Sequence, residues 1–97
     1  MDFKIIVSPS AQLEIEEIAD FYFNINLKVL IQFNERLKEA YTNLSINPNY
    51  QKRYKDFHGI PLKQFPFMLF YKIEKDNRTV KIISCFHTSQ NPKKYPI

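Results

Sequence analysis
The chain has 97 residues, 44% hydrophobic and 15% aromatic, with a formal net charge of +4. That excludes a disordered segment and allows a single domain, residues 1–97, whose modest core buries roughly 60–70% of the unfolded surface. The lone glycine leaves no glycine-rich phosphate cradle, no run approaches the ~18 apolar residues of a membrane span, and the lone Cys85 excludes an intrachain disulfide or a cysteine zinc site.

The charge is uneven. Residues 1–49 carry four Lys/Arg and seven acids, whereas residues 50–97 carry ten Lys/Arg and three acids. An acidic front and a basic back point to an anionic partner for the back half. Met1-Asp2-Phe3-Lys4 leads straight into strand-like sequence, so no signal peptide is expected. With one cysteine, a reducing, cytoplasmic home is expected.

Phe3–Val7 alternates as a strand. Ser8-Pro9 is a helix start, with Ser8 as cap and Pro9 at the position where a missing N–H costs nothing. Ala11, Ile15, Ile18, Ala19, Tyr22 and Phe23 recur at helical spacing, which predicts a helix over about 9–24. Asn24-Ile25-Asn26 interrupts the pattern. A second helix carries Leu30, Phe33, Leu37, Ala40, Tyr41 and Leu44 on one stripe and stops at Asn47-Pro48-Asn49. The two form an αα-hairpin whose apolar face must cover a sheet.

Arg53–His58 and Leu62–Phe65 are weaker strand candidates separated by Gly59 and Pro61. Phe67–Ile73 is the strongest strand, Lys75-Asp76-Asn77-Arg78 the turn, and Thr79–His87 the return. An even-numbered loop pairs residues whose numbers sum to 153, placing Lys72 opposite Lys81, Phe70 opposite Ile83 and Met68 opposite Cys85. One face then carries Phe67, Leu69, Tyr71, Ile73, Val80, Ile82, Ser84 and Phe86 and receives the helices. The other stays partly open and carries Lys72, Lys81, Cys85 and His87. The fold class is thus α+β: an N-terminal strand and an αα-hairpin packed on a mostly antiparallel twisted sheet.

Like charges at Lys72 and Lys81 repel across a hairpin unless an anion sits between them or both extend into water. His87 at a strand end suits general acid–base chemistry or a bond to the following turn. His58 beside Gly59 is a loop residue. The two histidines have no acidic partner at ligand spacing, so no metal and no cofactor is expected. Cys85 lacks an activating neighbour and is a small core residue. Tyr50, Tyr54, Tyr71 and Tyr95 interleave with Lys52, Arg53, Lys55, Lys93 and Lys94, a pattern that suits bases and phosphates or ordinary sheet packing.

Several pieces recur in a fixed order: Val7-Ser8-Pro9-x-Ala11, Glu17-Ile18 with Tyr22, Leu44-x3-Pro48, Phe65-Pro66-Phe67 with Phe70-Tyr71, and His87-x4-Pro92-x2-Tyr95. In order and spacing the chain resembles, over nearly its whole length, the RelE/ParE superfamily of type II toxin–antitoxin toxins. The Phe-Pro-aromatic and His-x4-Pro patterns look more like the ParE branch. The resemblance implies a small cytoplasmic toxin neutralised by a cognate antitoxin that lays an acidic segment over it. RelE-like members cleave mRNA on the ribosome; ParE-like members inhibit DNA gyrase and lack the RNase residue set. Relatives often carry arginines where this chain has Leu62-Lys63-Gln64 and Thr88-Ser89-Gln90-Asn91. An RNase would have to use His87 with Lys63 and Lys81, without the bidentate fork that suits a scissile phosphate. A toxin that acts by binding is therefore expected, through a surface of Arg53, Lys63, Lys72, Lys81, His87, Lys93, Lys94 and Tyr95. Ribosome-dependent cleavage and a nontoxic interaction module are the alternatives.

Overall fold
A computed structural model describes residues 2–50 and 56–88, and the backbone alone of 52–54. The chain order is β1 (Lys4–Val7), α1 (Pro9–Ile25), α2 (Leu27–Ile46), β2 (Lys52–Tyr54), β3 (Phe57–Pro61), β4 (Phe67–Glu74) and β5 (Thr79–His87). The sheet has five strands in the order β1-β5-β4-β3-β2. Only β1 and β5 run parallel; the other neighbours are antiparallel. This is the expected α+β arrangement.

The helix boundaries follow from their caps. Ser8 Oγ accepts from the Ala11 N–H at 3.1 Å and Pro9 occupies the first turn. The same hydroxyl donates to the Ile83 carbonyl at 3.2 Å, so the cap also ties α1 to β5. Asn26 serves both helices: its N–H donates to the Tyr22 carbonyl, ending α1, and its side chain accepts from the Lys28 N–H at 2.8 Å, starting α2. One residue that closes one helix and opens the next makes a tight αα-hairpin. Ser8→Ala should cost about 1–2 kcal/mol, read as a fall in the urea midpoint. A loss below about 0.3 kcal/mol would mean that Pro9 and the β1 connection alone fix the helix start.

Along α2, Phe33, Leu37, Ala40 and Leu44 are buried, four of the six residues of the predicted stripe. They pack with Ala11 and Ile15 of α1 against Leu69, Tyr71, Val80 and Ile82. Phe33 is the centre of an aromatic group, with ring centroids 5.5 Å from Tyr22, 5.5 Å from Phe65 and 6.3 Å from Phe67. The Tyr71 hydroxyl, also buried, donates to the Pro48 carbonyl at 2.7 Å, so the end of α2 is fixed to the sheet.

Three sequence expectations change here. First, β3 runs from Phe57 to Pro61 straight through Gly59, and residues 62–66 form the turn into β4. Gly59 lies opposite Phe70, whose ring stacks on Phe57 with centroids 5.3 Å apart. A side chain at Gly59 would crowd that stack, so the glycine belongs inside the strand. Second, His58 is a strand residue, 9% exposed, with its ring stacked on Tyr71.

Third, the β4–β5 ladder follows the expected register only from Glu74↔Thr79 to Tyr71↔Ile82. It then shifts, so that Phe70 faces Ser84, Leu69 faces Cys85, Met68 faces Phe86 and Phe67 faces His87. The irregularity leaves Ile83 as an extra residue, a β-bulge. Beyond it every side chain of β5 changes face. Cys85 joins the helix-covered core, while Phe86 lies edge to face on Phe70 in a second aromatic cluster on the opposite face.

Candidate functional site
His87 shows the consequence of the bulge. The regular ladder placed it on the open face with Lys72 and Lys81; the structure places it opposite Phe67, on the helix-covered side. Its ring meets the Phe67 ring edge to face at 5.3 Å and is half-buried. It also sits six positions from Lys81 along β5, roughly 20 Å at the rise of a strand.

The remaining predicted residues fall at different places. Lys63 lies in the β3–β4 turn, with 76% of its side chain exposed and its ammonium 3.6 Å from Glu39 of α2. Glu39 also takes Arg36 at 2.8 Å, and Arg36 Nε donates to the Gln64 side chain at 3.2 Å. Gln64 adopts φ 69°, a left-handed backbone that costs a non-glycine residue energy, so the Arg36 contact helps hold a strained turn. Lys72 and Lys81 are directly opposite, as expected. Lys81 relieves the repulsion by turning to Glu74 at 3.5 Å. Arg53 is on β2, its side chain outside the described residues, as are Lys93, Lys94 and Tyr95.

Lys81 therefore stands apart from His87, and Lys63 is held beside Glu39. Each lysine sits beside a carboxylate and the histidine packs on a phenylalanine, whereas a scissile phosphate calls for donors turned to one point. Cys85 is 2% exposed, and burial, then the Glu14 carboxylate, pushes its thiol up to about 12. It is held as a neutral core group, as the sequence implied. Glu14 itself accepts from the Ser84 hydroxyl at 2.8 Å and from the Cys85 N–H at 3.2 Å, replacing the strand partner that β5 lacks beyond the end of β1.

Two features escaped sequence reasoning. One is His58, hidden by its glycine neighbour. The other is the end of the helical hairpin, where Phe21, Phe23, Ile25 and Leu27 are each 58–61% exposed and Ile31 is 49% exposed. Helical spacing marks the residues that face inward; it says nothing about apolar residues left outside. Among the described residues no group of three His, Cys, Asp or Glu side chains comes together to hold a metal. Among them, too, no helix is long and apolar enough to cross a membrane.

A family model described as the ParE toxin of the type II toxin–antitoxin system, parDE, matches residues 5–92. Among curated proteins none is significantly similar to the chain. Among solved structures, the chromosomal ParDE toxin–antitoxin system from P. aeruginosa contains a chain of similar fold. The TM-score is 0.76 at 13% identity, covering 90% of this chain and 97% of the other. At that identity the likeness concerns the fold.

Proposed function
Because the chain belongs to the ParE toxin family of type II toxin–antitoxin systems, we propose that it arrests growth in the cytoplasm by binding DNA gyrase and is neutralised by a cognate antitoxin. What supports the binding reading is that Lys81 lies six positions from His87 along β5, while Lys63 and Lys81 are paired with Glu39 and Glu74. Catalysis of RNA cleavage needs an acceptor for the 2′-hydroxyl proton and cations on the same phosphate. Lys81, six positions from His87 along β5, does not share one phosphate with it.

Binding needs less. The exposed Phe21, Phe23, Ile25, Leu27 and Ile31 gather large apolar side chains around one hairpin end, the kind of surface a protein partner covers. The lysines at the far end of the β4–β5 hairpin are a second surface, suited to an acidic antitoxin segment.

Induced expression separates the readings. Growth should stop with DNA-damage signalling and intact mRNA, and co-expression of a cognate antitoxin should restore growth. His87→Ala should stay fully toxic, because the ring packs on Phe67 and takes part in no chemistry. Rapid mRNA cleavage that disappears in His87→Ala would replace the gyrase reading by the ribosome-dependent one. Normal growth with folded protein would leave a nontoxic interaction module.

A further inference from the structure
The strand order leaves β1 at an outer position, with β5 on one side only. Its ladder to β5 decides where each backbone group points. Lys4 N–H donates to the Arg78 carbonyl at 2.8 Å, and Ser8 N–H to the Ile82 carbonyl at 2.9 Å. Alternate residues of a parallel strand turn to the same neighbour. Lys4, Ile6 and Ser8 therefore bond β5, and the N–H and C=O groups of Ile5 and Val7 point outward. Phe3 has the same parity as these two and donates its N–H to the Ser45 carbonyl, so the end of α2 covers the start of this edge. Further along, no hydrogen-bond partner among the described residues meets the backbone of Ile5 or Val7.

The side chains divide by face. Ile5 and Val7 pack against the core beneath the helices. Ile6 lies beside Lys81 on the other face, 37% exposed, at the rim of a hollow of about 230 Å³ that Pro9, Lys81 and Ile83 also line. Sheets ordinarily protect an open edge with a charge, a proline or a bulge. Ile5-Ile6-Val7 has none of the three and is β-branched throughout.

We propose that β1 pairs with β1 of a second copy, antiparallel about a two-fold axis at Ile6. Ile5 of each chain then exchanges both backbone bonds with Val7 of the other, four hydrogen bonds in all. A slide of two residues either way sets Ile5 or Val7 opposite itself and halves the bonds, because Ser45 already occupies Phe3 and Pro9 has no N–H. A second copy is the occupant because the open stretch is complementary to itself: the spacing one chain offers is the spacing the other needs. The two Ile6 side chains meet as a non-hydrogen-bonded pair, the closer kind, and cover apolar surface that each leaves exposed alone. Lys4 falls opposite Ser8 of the other chain, so no like charges face each other across the axis. Two five-stranded sheets become one of ten, with neither β1 edge left open. The inference does not depend on the toxin reading.

Sedimentation equilibrium of the full chain should approach twice the 11.7 kDa monomer mass, with a Kd on the order of 10–100 µM, as suits a small interface. Amide exchange should show the Ile5 and Val7 N–H groups gaining protection as concentration rises, while the Ile6 N–H, bonded to β5, is protected throughout. In a mixture of isotope-labelled and unlabelled chains, a filtered NOE should join the two Ile6 α-protons. Ile6→Lys and Ile6→Glu should each weaken self-association about tenfold, by removing the apolar pair and setting like charges face to face. Mixing the two variants should restore pairing to within about threefold of the wild type, since opposite charges then meet; misfolded chains would not recover. A chain that stays monomeric up to ~1 mM would overturn the proposal. So would a dimer that Ile6→Lys leaves intact, which would move the contact to another surface such as the exposed end of the helical hairpin. Protection of Ile5 and Val7 only when a cognate antitoxin is bound would overturn it too, by giving the edge to that partner.

Discussion
Phe33→Ala should lower the stability of the chain by about 3–5 kcal/mol, the largest loss expected from any one change here. For a domain of this size that corresponds to a melting point about 15–25 °C lower. Phe33 is fully buried, and three aromatic neighbours, Tyr22 from α1, Phe65 from the turn and Phe67 from β4, close around it. Truncation removes the ring and leaves a cavity between elements that are each held by their own hydrogen bonds, so collapse is incomplete. The edge-to-face contacts with Phe65 and Phe67 add to the loss. Phe33→Leu, which keeps most of the volume, should cost much less, though more than a surface change. A loss below about 1.5 kcal/mol for the alanine variant would show that the helices are held by other contacts.

The same change reaches function indirectly. Phe65 belongs to the turn that carries Lys63 and Gln64, and its ring is an anchor of that turn on α2. Without Phe33 the strained Gln64 backbone loses support on one side. If the chain is toxic, Phe33→Ala should lose toxicity at high growth temperature and regain it when cooled, with no surface residue altered.

Much of this architecture was legible in the sequence because its signals are local. Ser8-Pro9, Asn26 and Asn47-Pro48 mark helix ends by their capping chemistry, and each cap is found in place. The four-residue turn at Lys75–Arg78 fixes the parity of the hairpin, and the pairing nearest the turn obeys it. The bulge left no such mark. Ile82-Ile83-Ser84-Cys85-Phe86 contains no charged residue, so either face assignment satisfies a hydrophobic pattern of period two. The choice was made by tertiary contacts: Ser8 bonds the Ile83 carbonyl, and Glu14 bonds Ser84 and Cys85. These contacts are more than sixty residues apart in the chain. His87 was consequently assigned to the wrong side, away from Phe67 and beside Lys72 and Lys81. Gly59 misled differently, since a glycine that marks a break in many strands here admits an aromatic stack.

Alkaline pH should unfold the chain earlier than its charge alone would. Burial pushes the Cys85 thiol up from 9.0 to about 12 and the Tyr41 hydroxyl up from 10.0 to about 12; Tyr22 and Tyr71 shift upward for the same primary reason. In the unfolded chain these groups ionise at their ordinary values. Above pH 9 the folded state therefore holds more protons than the unfolded one, and stability falls as pH rises. Below pH 9 the contribution is fully present; it is lost progressively towards pH 12. Cys85 alone accounts for up to about 4 kcal/mol over that window. Urea unfolding at pH 8, 9, 10 and 11 should show a steepening decline, and Cys85→Ala, although slightly less stable at pH 8, should lose about one proton's worth of the slope. Thiol labelling supplies the independent check: the folded wild type should react with iodoacetamide at pH 8 no faster than it unfolds. An unchanged slope in Cys85→Ala, or rapid labelling of folded protein, would place the thiol at the surface and contradict its position opposite Leu69 beneath the helices.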